Sequence, residues 1–139
     1  MATIRKQISI DVSPDDAWAA LRDWGAVHTR LAPGFVTDTR LDGRDRIVTF
    51  FNGSVVRERL IDRDDAARRL VWSIVEGPYT HHNGSAHVLA EQDGRTTFVW
   101  ITDLLPDELG PRTSEMMQLG LAAIQKTLSR RAAAPSSRS

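Results

Sequence analysis

The sequence contains no cysteine. That excludes disulfides, thiolate nucleophiles and thiolate-ligated metals. It has no excess of either charge: Lys plus Arg is 18 and Asp plus Glu is 18. A nucleic-acid binder would show a basic surplus, so no nucleic-acid partner is expected. No run approaches the ~20 apolar residues of a membrane span. The N-terminal stretch MATIRKQISID lacks an apolar leader region, and a cytoplasmic location is expected. No phosphate-cradling glycine loop, metal-ligand spacing or recognisable nucleophilic triad is present, so neither cofactor nor metal is expected.

What the sequence does have is periodicity. Its 139 residues suit one domain. We place that domain at 1–131, followed by an Ala/Pro/Ser/Arg-rich tail at 132–139 with the composition of a disordered segment. Residues 111–131 read as the one long helix, free of internal proline and striped with apolar residues at helical spacing. At 100° per residue, Leu109, Met116, Leu119, Gly120, Ala123, Ile124 and Thr127 share a face, and Arg112 joins them. That stripe is poor in bulky aliphatics. Small residues leave room and methionine adapts to irregular space, so the helix reads as one wall of a cavity, with Gly120 facing open space.

Ahead of it the text is strand and turn. Residues 3–12 alternate as a strand. Ser13, Pro14, Asp15 and Asp16 then form a helix start, with cap, fixed φ and acidic first turn. A second short helix covers 25–31. Strands follow at 35–41, 46–51, 54–62, 68–75, 81–90 and 95–104. Asn52-Gly53 and Asp93-Gly94 carry the strongest hairpin signal. The expected fold is α+β: a seven-stranded antiparallel sheet wrapped around the C-terminal helix, with two short helices after strand one.

Two-residue turns set the registers. Around Asn52-Gly53 they pair Thr49 with Val56 and Ile47 with Glu58. Arg57 and Arg59 must face out, because two unpaired guanidiniums are not buried. Glu58 therefore faces in, and by parity so do Trp72 and Ile74. Around Asp93-Gly94 the aliphatic face Ala86, Val88, Val99, Ile101 is expected inside and Trp100 outside, as a possible dimer contact. His81 and His82 are adjacent on a strand and point oppositely, with His82 toward the cavity mouth and Tyr79 beside it.

The order of elements, with Ile10-Asp-Val-Ser-Pro14-Asp-Asp-Ala-Trp18 leading out of strand one, resembles the START/Bet v-like (SRPBCC) superfamily. Within it the chain is similar to the polyketide cyclase/dehydrase group. Glu58-Arg59-Leu60, then Trp72-Ser73-Ile74-Val75, also resembles the plant abscisic acid receptors. The resemblance implies a helix-grip fold with a cavity for a small, mostly apolar molecule, and gives Glu58 a place on the cavity wall. The receptor gate is shortened here to Asn52-Gly53. Tyr79-Thr80-His81-His82 does not match the receptor latch, and the receptor's ligand-pairing lysine has no equivalent near Pro33-Gly34.

The expected ligand-binding set is Thr49, Val56, Glu58, Trp72, Ile74, Tyr79, His82, Val99, Ile101, Arg112, Met116 and Gly120. Three roles stand open for Glu58: polar anchor, general acid/base, or ion-pair partner of Arg112. Three functions stand open as well. One is a carrier of a small hydrophobic molecule such as a lipid, steroid-like compound or aromatic polyketide. Another is a cyclase or dehydratase using Glu58 or His82. The third is a partner-binding regulator using the Trp100 face. Either a monomer or a homodimer fits.

Overall fold

A computed structural model describes the backbone of residues 1–136 and the side chains of residues 1–129. Strand β1 (Ala2–Ile10) leads into α1 (Pro14–Arg22). The side chain of Ser13 caps α1 by accepting from the Asp16 amide at 3.1 Å. Pro14 opens the helix and Asp15 and Asp16 lie in its first turn, so all the start signals operate. A π-helical turn at Val27–Leu31 follows. Six strands then meander: β2 (Val36–Asp42), β3 (Asp45–Phe50), β4 (Val55–Asp64), β5 (Arg69–Glu76), β6 (His81–Ala90) and β7 (Thr96–Leu105). A 3-10 turn at Asp107–Leu109 delivers the chain into α2, Gly110–Ser136. The sheet order is β1-β7-β6-β5-β4-β3-β2 with every pair antiparallel, so it is open, with β1 and β2 at its edges. This is the helix-grip architecture.

The helix is longer than expected at its C-terminal end: residues 132–136, assigned to a tail, continue α2. The remainder of that tail, 137–139, lies outside the described residues. The buried stripe of α2 is Thr113, Met117, Gly120, Leu121, Ile124 and Leu128, about a quarter turn from the expected one. Leu119 stands 46% exposed. Bulky Met117, Leu121 and Leu128 take the core position, which a wall of small residues alone would leave loose.

Both long hairpins differ from the expected register by one residue. Phe50 N–H donates to the Ser54 carbonyl, and Gly53, at φ +87°, closes back on Phe50. Glu91 and Arg95 do the same around Gly94 at φ +86°. Each loop therefore has three residues ending in a left-handed glycine, which places a bulge beside the turn. The extra residue turns one strand of each hairpin over. Val48 now pairs with Val56 and Arg46 with Glu58. Val88 pairs with Phe98 and Ala86 with Trp100. Thr49, Val99 and Ile101 accordingly leave the concave face, and Arg46, Val48, Phe50, Phe98, Trp100 and Thr102 take it.

Candidate functional site

Between α2 and the concave face lies a cavity of about 510 Å³, within the ~300–1,000 Å³ range of small-molecule sites. Its walls are mostly apolar. Val48, Val56, Trp72, Ile74, Phe98 and Trp100 come from the sheet, and Met116, Met117, Gly120 and Ile124 from α2. Leu21, Val27 and Leu31 close one side from the short helices. The lining residues that also meet solvent are Asn52, Val55, Gly77, Pro78 and Arg112, and they mark its opening.

The first polar group on the wall is an ion pair. Arg46 Nε donates to Glu58 Oε1 at 2.7 Å, and both side chains are over nine-tenths buried. Arg46 also donates to the Trp24 carbonyl at 3.3 Å, and its guanidinium lies 3.7 Å over the Trp24 ring. Burial pulls Arg46 below its ordinary pKa, and the Glu58 carboxylate opposes that pull. So Glu58 faces inward as expected, but its partner is Arg46. Arg112 is exposed at the opening and forms no ion pair among the described residues. Arg46 escaped the sequence reading because the two-residue turn placed it outside. On the outer face, Arg57 and Arg59 converge on Asp45 at 2.9–3.1 Å, as the parity of β4 requires.

The second polar group sits where the β5–β6 ladder is interrupted. Leu70 pairs with Ala86 and Trp72 with Gly84. One step further, Ile74 would pair with His82. Instead Ile74 N–H donates to His82 Nδ1 at 3.1 Å, while the His82 carbonyl accepts from Ser73 Oγ. Two side chains thus satisfy the backbone groups that the ladder leaves open. Burial, with a smaller contribution from neighbouring His81, pushes His82 down to about 4. The Tyr79 ring lies 5.0 Å from the imidazole, and its hydroxyl bonds Thr113 Oγ1 at 2.6 Å, tying the β5–β6 turn to α2.

Of the expected set, Val56, Glu58, Trp72, Ile74, Tyr79, His82, Arg112, Met116 and Gly120 line this cavity. Thr49, Val99 and Ile101 do not, for the register reason above. Gly120 does not face open space: a Cβ there would lie 2.9 Å from Trp100 Cζ3 and 3.0 Å from Phe35 Cε2. Trp100 packs inward at 6.3 Å from Trp72, which removes it as an outer-face partner contact. No group of three His, Asp or Glu able to hold a metal occurs among the described residues, and no described helix is long and apolar enough to cross a membrane.

The family model described as polyketide cyclase/dehydrase and lipid transport matches residues 1–134. No curated protein matches. Among solved structures, a protein from Thermobifida fusca is 28% identical at a TM-score of 0.77, with 94% of this chain and 95% of that one covered. A START superfamily protein from Mycobacterium smegmatis is 13% identical at 0.71, covering 94% and 96%. Norcoclaurine synthase from Thalictrum flavum, in complex with dopamine and hydroxybenzaldehyde, is 20% identical at 0.71, covering 93% and 84%. A sheet gripping one helix around a lined cavity goes with a family match over nearly the whole chain, and the protein belongs to the polyketide cyclase/dehydrase and lipid-transport family.

Proposed function

We propose that the protein is a cytoplasmic carrier for a small, largely apolar molecule held between α2 and the sheet. The observation that carries this reading is the cavity of about 510 Å³, apolar over most of its wall and open on one side. The two candidate acid/base groups on its wall are each engaged by the fold. Glu58 holds Arg46, and His82 Nδ1 is taken by a backbone amide. A general acid or base must exchange a proton with a substrate; Glu58 is held by Arg46, and His82, with Nδ1 taken and its proton affinity lowered by burial, presents only a fixed neutral N–H. That favours binding over the cyclase or dehydratase chemistry also open to this family. The test is a thermal-shift screen with aromatic and lipid compounds, alongside native mass spectrometry of the purified protein. A ligand at 100 times its Kd adds about 2.7 kcal/mol of stability, a clear rise in Tm. No shift with any compound and no co-purifying species would overturn the reading.

A further inference from the structure

His82 is 6% exposed and lies on the cavity wall. A backbone amide can only donate, so the hydrogen bond from Ile74 N–H requires a lone pair on Nδ1. The neutral ring must then carry its proton on Nε2. Among the described residues Nε2 has no hydrogen-bond partner and keeps some accessible surface, and His82 lines the cavity. The ring cannot turn over without stranding the Ile74 amide beside the interrupted ladder, at the cost of an unsatisfied buried donor. The fold therefore fixes the orientation of this N–H on a mostly apolar wall next to Tyr79.

We propose that His82 Nε2–H is the donor that orients the cavity's ligand, and that the ligand is a largely apolar molecule bearing a carbonyl-type acceptor oxygen. This rests on the carrier reading above and narrows it. A buried donor left unpaired penalises a ligand lacking an acceptor there, so His82 selects as well as binds. Its low affinity for protons keeps it a neutral donor across the physiological range.

The probes are 9-fluorenone and fluorene, which differ by a C=O in place of CH₂. Affinities are measured on the wild type and on His82→Asn. The asparagine Oδ1 stands where Nδ1 stood and still accepts from Ile74, but its amide falls short of the Nε2 position. The fluorenone-to-fluorene affinity ratio should fall roughly three- to ten-fold in the variant, the weight of one net hydrogen bond. Two measurements on the wild type hold even if the variant fails to fold. The carbonyl stretch of bound fluorenone should lie below its value in alkane, and ¹⁵N NMR should show the proton on Nε2. An unchanged ratio, an unshifted stretch or a proton on Nδ1 overturns the assignment while leaving the carrier reading intact. Binding of neither probe overturns that reading at this ligand size, and the assignment with it.

Discussion

A buried ion pair such as Arg46–Glu58 is a poor source of net stability and a severe liability when broken, because desolvation offsets most of its attraction. Glu58→Leu alone should therefore cost about 3–5 kcal/mol, leaving Arg46 buried without its counter-charge. Arg46→Met with Glu58→Leu should recover most of that loss. Urea denaturation of the three proteins checks both, and a single variant as stable as wild type would deny the pair a structural role. Two residues also set separate acid limits. His82 has its pKa lowered from 6.5 to about 4 on folding. Between those values the unfolded chain binds the extra proton, so stability falls as pH drops through that window, by on the order of 3 kcal/mol. Asp45 is held at about 2 against 3.8, chiefly by the hydrogen bond from Arg59. Its contribution is complete above about pH 4 and is lost only as pH falls toward 2. Denaturation midpoints from pH 7 to 3 should show the upper loss in wild type and not in His82→Asn.

The elements were legible to different depths for a physical reason. Hydrophobic period and cap chemistry are local, so the strand–helix order, the Ser13 cap and the long helix could be read directly. A strand's inward face depends on its neighbours as well. For β4 the two arginines settled it, and for β6 the choice of Ala86 and Val88 was sound. For β3 and β7 the face was inherited through a turn. Asn-Gly and Asp-Gly serve two-residue loops and also three-residue loops ending in a left-handed glycine, and one residue exchanges Thr49 for Val48 and Ile101 for Trp100. The signal that could have decided it was bulk: the shorter loop leaves Trp100 outside, the longer one buries it with Phe98. Close packing then explains a glycine that no pattern marks. Gly84 sits opposite Trp72, and a Cβ there would lie 2.7 Å from the indole. Gly84→Ala should push Trp72 out of place, at about 1–3 kcal/mol. A change in tryptophan fluorescence together with a lower Tm checks this, and an unperturbed spectrum would contradict the packing.

At the scale of the whole molecule the cavity imposes a constraint. An apolar void costs about 24 cal/mol per Å³ when truly empty, so 510 Å³ would cost on the order of 10 kcal/mol, as much as a typical domain's entire stability. The space is therefore filled in solution, by water on its polar groups or by a ligand. Ligand entry then removes apolar wall from water and should give a negative heat-capacity change by calorimetry. The same constraint tells how to close the cavity. Gly120 cannot serve, since Trp100 and Phe35 already crowd it. Met116 can: it lines the cavity, is only partly buried and is flexible enough to yield its position. Met116→Trp should place an indole in the volume a ligand would use. Folding should survive, because the new bulk enters open space, whereas the same enlargement in a filled core costs about 1–3 kcal/mol. Affinity for 9-fluorenone should drop at least ten-fold while Tm holds or rises. A variant that melts lower and still binds would mean that the wall at Met116 faces packed core and that the ligand lies elsewhere.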